Sequence, residues 1–269
     1  VATLTAAREH YLAQQQITSR AVVAARRLRF DSLPRLTAVV AGFQAAAAIE
    51  GARSVPESLV EQGIDPDTFA TPDARTLAGW TSYGLPLAPL LDKARLPDVE
   101  GFRFDRMVAS QVQDAGRQGS ALQMAVTPAV TAYVRQVNPP SCSRCIILAG
   151  KKFRKNTGFQ RHPLCDCVHV PTTLEDGEGV TFDAVGYFDS LPADEQDRIF
   201  TKHAAELIRA APPEKRQYVM GRAVNTRWTP RATSAQDRRS RLLPEEIARQ
   251  ANGNRDELLR LMKRHRYLK

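Results

Sequence analysis

All four cysteines of this 269-residue chain fall within a window of 26 residues. Cys142-x-x-Cys145 is followed, after a spacer of 19 residues, by Cys165-Asp166-Cys167, with His162 just ahead of that second pair. Cysteines scattered through a core would not gather in this way. Two thiols, a spacer and two more thiols describe a loop that something holds shut, either a metal ion or one or two disulfides. Zinc takes four ligands and prefers thiolate and imidazole. The C-x-x-C pair can reach one ion from a tight turn, and Cys165 and Cys167 can supply the other two ligands. C-x-C is a less usual spacing, because alternate residues of an extended segment point the same way but sit far apart. If one of that pair turns away, His162 completes a Cys3His set. With every ligand filled, such a zinc site is structural rather than catalytic. Disulfides between the two halves of the loop remain the alternative. A redox role for C-x-x-C is a third reading, but the strand–helix context it needs is missing.

The redox environment bears on this choice. The first residues lack a basic start followed by an apolar run, so we expect no export signal. The longest uncharged stretch, Leu36–Ile49, has 14 residues, short of the ~20 that span a bilayer. Thiols that meet a reducing cytosol bind metal more often than they pair.

Aromatic residues are 7% of the chain, so its packing leans on alanine, valine and leucine, which favours helices. Apolar spacing predicts a helix from Leu4 to about Arg29, capped by Thr3 or Thr5 and ended by Pro34. An alanine-rich helix follows from Arg35 to about Ala52, buried against the first. Prolines and glycines break the stretch from Ser54 to Pro97 into short helices over 56–62, 72–83 and 86–94, with Trp80 in the core. A long helix is predicted from about Phe104 to Gln136. Around the cysteines, Lys151–Lys155 and Val168–Pro171 read as an outgoing and a returning strand. A helix starts near Pro192 and runs toward Ala210, and two more cover Pro244–Gln250 and Arg255 to about Arg266. The expected fold class is mainly α (α+β): a helical bundle, a small cysteine-pinned β-hairpin and a basic helical C-terminal tail. The expected divisions are 1–137, 138–190 and 191–269.

The net charge of +9 is not spread evenly. From Arg209 to Lys269 there are 16 Lys/Arg against 6 Asp/Glu, so this quarter carries the whole excess. Such a segment is attracted to phosphate or to an acidic protein surface, through Arg238, Arg239, Arg241, Lys263, Arg264 and Arg266. A solvated basic helix with no dedicated ligand is the plainer alternative.

Several stretches resemble one family. Cys142-x-x-Cys145, the apolar run to Ala149-Gly150, and Gly158-Phe159-Gln160-Arg161-His162-Pro163-x-Cys165-Asp166-Cys167 resemble the phage head morphogenesis (Mu F-like) minor capsid proteins of tailed actinobacteriophages. Tyr187–Leu191, Gln196–Lys202, Leu243–Ile247, Asn254–Glu257 and Leu261–His265 are similar to the same proteins. The resemblance covers roughly 140–269. It implies a minor protein of the phage procapsid, acting with the portal protein and with the major capsid or scaffold protein, and placed beside packaged phage DNA. Its location would be the host cytoplasm during assembly and then the virion. Some relatives are labelled capsid maturation proteases, so that activity is the rival expectation. Yet His10, His169, His203 and His265 lie in no nucleophile elbow or H-E-x-x-H helix, and Ser141, Ser143 and Ser190 are candidates by residue type only.

Overall fold

The computed structural model describes residues 4–97, 99–138, 141–155, 165, 167–173, 182–224, 242 and 244–268. Three long helices form the frame: α1 (Thr5–Arg27), α2 (Leu33–Glu61) and, after a short α3 (Leu87–Ala94), α4 (Gly101–Val126). Helix α4 is the central one, with most of its length from Val108 to Val126 buried. It meets α2 through glycines. A Cβ on Gly119 would run into the backbone of Ala48, and one on Gly51 into the carbonyl of Gly116. The Ser120 hydroxyl donates across the same seam to the Gly51 carbonyl at 2.9 Å. Alanine-rich sequence therefore does more here than favour helix: it lets two backbones come together.

Helix α2 outruns its expected end. It passes through Pro56 to Glu61 and absorbs the short helix expected over 56–62. An interior proline costs ~3 kcal/mol. Val55 and Leu59 flank it and are fully buried, each worth roughly 1.5–3 kcal/mol, so tertiary burial outweighs the penalty. The extension also supplies the cap of α1. The backbone amides of Thr5 and Ala6 donate to the Glu61 carboxylate at 2.7 and 2.9 Å, a role the sequence had suggested for Thr3 or Thr5. Thr3 lies outside the described residues, and the N-cap position, Leu4, makes no side-chain bond.

Between α2 and α3 only a 3-10 turn, Ala74–Leu77, stands where a helix over 72–83 was expected. Trp80 is half-buried rather than central. The buried Gln44 amide ties this loop down, donating to the Trp80 carbonyl at 2.8 Å and accepting from the Gly79 amide at 2.9 Å.

The largest departure from expectation follows α4. The helix stops at Val126, and the predicted helical stripe to Gln136 is instead strand β1 (Ala132–Gln136). Thr127-Pro128 makes the break, since the residue before proline is driven out of the helical region. The Val130-Thr131 and Tyr133-Val134 pairs then favour extended chain. Strands β2 (Lys152–Arg154) and β3 (Val168–Thr172) stand where strands were expected. They do not pair with each other as a hairpin. Both run antiparallel to β1, which lies between them in the order β2-β1-β3. The six-residue helix α5 (Ser143–Leu148) connects β1 to β2.

The helix expected from Pro192 to Ala210 is two, α7 (Ala193–Phe200) and α8 (Lys202–Ala210), preceded by α6 (Ala184–Ser190) and followed by a 3-10 turn at Pro213–Lys215 and α9 (Arg216–Ala223). The break falls at Thr201, whose φ of 70° is costly for a β-branched residue. It lets Phe200 and Ile208 turn into one apolar cluster with Phe188 and Met220, which a straight helix could not do. Helices α10 (Pro244–Ala251) and α11 (Arg255–Arg264) fall near their expected places. They pack onto the frame: Ile247, Leu258, Met262 and Tyr267 share a core with Leu122 and Val126 of α4. The fold is thus mainly α with a small antiparallel sheet and a cysteine cluster, and no described helix is long and apolar enough to cross a membrane.

The glycine seam yields a direct test. Gly119→Val should overpack the α2–α4 crossing and cost at least ~1–3 kcal/mol. The measurement is a urea melt, with a lower midpoint at an unchanged slope. Gly42→Val, at a position where an added Cβ meets nothing within 4 Å, is the control and should stay near wild type or gain slightly, valine being the better helix former.

Candidate metal centre

The cysteines reach one another from two segments, α5 with its cap and the stretch ahead of β3. Cys142 caps α5, and its sulfur accepts the Cys145 amide at 3.4 Å. This first turn points the Cys145 side chain inward. Cys165 and Cys167 lie just ahead of β3, where the pleat sends alternate side chains to one face. Their sulfurs are 2.9 Å apart, so the C-x-C spacing does not hold them away from each other. Cys145 Sγ lies 3.0 Å from Cys165 Sγ and 3.5 Å from Cys167 Sγ. These three cysteines are almost fully buried, while Cys142 is partly exposed, and none of the four is in a disulfide.

Three buried cysteines therefore lie close enough to bind a metal. A zinc–sulfur bond of ~2.3 Å in a tetrahedral site puts neighbouring sulfurs about 3.8 Å apart. The triangle needs to open by less than an ångström on each side to take an ion. Among the described residues the walls are largely apolar: Val55, Leu59, Met124, Val130 and Tyr133 form one core with the cysteines. Tyr133 stacks on Phe153 with centroids 5.4 Å apart and meets the edge of His169 at 4.8 Å. A buried site of this kind suits a structural ion rather than a catalytic one.

Two arginines attend the cluster. Arg117 of α4 donates from Nε to the Cys167 carbonyl at 3.1 Å and from Nη2 to the Cys165 carbonyl, and Nη1 pairs with Asp114 at 2.9 Å. It holds the C-x-C backbone in place. Arg135 of β1 points at the sulfurs themselves, with Nη1 3.7 Å from Cys167 Sγ. A unit charge pair at ~4 Å is worth roughly 4 kcal/mol at an effective dielectric near 20. That is enough to offset much of the cost of burying a guanidinium.

The thiol protons follow from this crowding. Cys145 is pushed far up, first by its hydrogen bonds to Cys142, Cys165 and Cys167 and then by burial. Cys167 is pushed up to about 12, chiefly by burial, with Arg135 working the other way. For Arg135, burial lowers the pKa, and the charges of Cys167, Cys145 and Cys165 more than restore it, so it stands raised above the ordinary guanidinium value. Three sulfurs packed this closely cannot all ionise without a cation between them. A divalent ion reverses that balance by displacing their protons.

Compared with family models, with curated proteins and with solved structures, the chain matches none of them.

Of the residues expected at the metal site, Cys145, Cys165 and Cys167 come together and Cys142 stands at the edge. His162 lies outside the described residues. Of the basic residues, Arg238, Arg239 and Arg241 also lie outside them, while Lys263, Arg264 and Arg266 are exposed at the end of α11. The candidate protease residues are scattered. The Ser190 and Ser141 hydroxyls donate to carbonyls three residues back, as turn residues do. His10 is buried beside Glu50, His169 packs on Tyr133, and His265 accepts the Leu242 amide. His203 is exposed on α8. Sequence reasoning passed over Asp114, Arg117 and Arg135. For Arg135 the available signal was a single charge between Val134 and Val137, whereas Asp114 and Arg117 stand in the polar stretch Gln113–Ser120 and gave none.

Burial makes the thiols unequal. In metal-free protein, a disulfide reagent such as Ellman's should titrate Cys142 at least tenfold faster than the other three, which should react only on unfolding. Four fast thiols in the native chain would contradict the packing described.

Proposed function

We propose that this chain is a minor capsid protein of the phage head morphogenesis kind, acting by binding during procapsid assembly, with its cysteine cluster closed around a structural zinc ion. One observation carries this reading. The residues that resemble the family most specifically, Cys142-x-x-Cys145 and Cys165-x-Cys167, include the three whose sulfurs meet in the core. The motif therefore coincides with a physical clasp, as it would if the family pattern records a fold requirement.

The donor set favours zinc among common ions. Thiolate-rich and buried, it offers soft ligands and, among the described residues, no oxygen donor of the kind magnesium or calcium needs. Cys145, Cys165 and Cys167 would supply three ligands, and Cys142 or His162 the fourth. Binding rather than proteolysis is supported by the spread of the candidate serines and histidines over separate elements and by the buried cluster. In this reading the helical frame offers surfaces to the portal protein or to the major capsid or scaffold protein. The exposed Lys263, Arg264 and Arg266 face packaged DNA or an acidic shell protein, a role their charge suits.

Two measurements test the two halves. Protein purified without chelator should contain about one zinc per chain, and a strong chelator should lower its melting temperature. Zinc far below one equivalent together with no free thiol would point to disulfides instead. Co-expression with the portal and major capsid proteins encoded beside it should yield procapsids that carry the chain at low copy number. Specific cleavage of the capsid precursor, lost on changing a single serine or histidine, would overturn the binding reading in favour of the protease.

A further inference from the structure

The buried charges around the sulfurs do not all have the same use. Arg117 is balanced within α4 by Asp114, and its remaining donors go to the carbonyls of Cys165 and Cys167. It secures backbone. Arg135 is different. It sits on the central strand, is only 3% exposed, and directs Nη1 to a sulfur rather than to a carbonyl. The strand pairing keeps it there: Arg135 is in register with His169 of β3, and its carbonyl accepts the Gly150 amide at 3.1 Å. Its guanidinium also lies 5.8 Å from the centre of the Phe153 ring on β2. The cation thus rises from the central strand with Phe153 of β2 and the Cys167 sulfur beside it.

A fixed positive charge 3.7 Å from a sulfur favours thiolate over thiol. A divalent ion held by three thiolates carries a net charge of −1, or −2 with Cys142 as a fourth thiolate ligand, and the guanidinium offsets one unit of it. We infer that Arg135 is the built-in counter-cation of the cluster, a positioning residue that is not itself a ligand but sets how tightly the three sulfurs hold a divalent ion. The inference rests on the metal reading above, and adds to it the residue that decides affinity. Partners just outside a ligand shell typically change metal affinity by ~10–100-fold when removed.

The test uses the full chain and zinc alone. Zinc affinity is measured by competition with a chromophoric chelator for the wild type, Arg135→Met, Arg135→Gln and Arg135→Lys, with Arg260→Gln as an exposed control. The neutral variants should lose ~10–100-fold in affinity, and Arg135→Lys, which keeps the charge, should stay within a few-fold of wild type. The control should not change. Cobalt substitution should give sulfur-to-cobalt charge-transfer bands at the same positions in every variant, because the ligands are the same. Far-UV circular dichroism shows which variants fold; if Arg135→Met does not, Arg135→Gln is read against Arg135→Lys. Equal loss in the lysine and neutral variants, or no loss in the neutral ones, would overturn the role of the charge while leaving the metal site standing. A wild type that binds no zinc with all four thiols reduced would remove the metal reading itself, and the inference with it.

Discussion

Where α2 crosses α4, two backbones touch with almost no side chain between them. Gly51, Gly116 and Gly119 make that possible, since a methyl group on Gly51 or Gly119 would strike the opposite main chain. The other elements lean on this pair. Helix α1 lies along both, held at its start by a carboxylate from the far end of α2. The sheet covers the ends near Leu59 and Met124, and α10 and α11 close over Leu122 and Val126. A chain poor in aromatic residues gains little from any one side chain. Close approach of backbones compensates, because dispersion contacts rise steeply as gaps vanish.

The cysteine cluster extends that core rather than decorating the surface. Its sulfurs pack among the side chains that join the sheet to α2 and α4, so loop and frame share one interior. Burial creates the electrostatic problem that defines the site. The thiols are pushed toward the protonated state, while Arg135 brings a fixed positive charge to within 3.7 Å of Cys167. A divalent cation among thiolates resolves both strains together.

Much of this was legible in the chain. The clustered cysteines announced a site where thiols meet, and three of the four do meet in the core. Helix α1, α3 and the two C-terminal helices fell close to their expected bounds because apolar spacing and proline starts are local signals. The failures share a cause. Ala132–Gln136 carries apolar residues that suit either a helix or a buried strand, and only pairing on both sides selects the strand. Pro56 looked like a terminator until Val55 and Leu59 were seen to be buried. Thr201 looked like ordinary helix until two apolar faces had to meet in one cluster. Each is a case where distant contacts outweighed a local preference worth ~1–3 kcal/mol.

The sequence by itself determined that the protein is mostly helical, that its four thiols lie in one short window, and that its positive charge gathers at the C-terminal quarter. These follow from composition and spacing, which need no knowledge of the third dimension. Only the tertiary structure decided that Cys145, Cys165 and Cys167 form the inner triangle with Cys142 at its edge. It alone placed β1 between its partners and brought Arg117 to the carbonyls of Cys165 and Cys167 and Arg135 to a sulfur, from 28 and 10 residues before Cys145. Such meetings depend on how elements pack, and no local pattern of residues encodes the direction in which a buried charge will point.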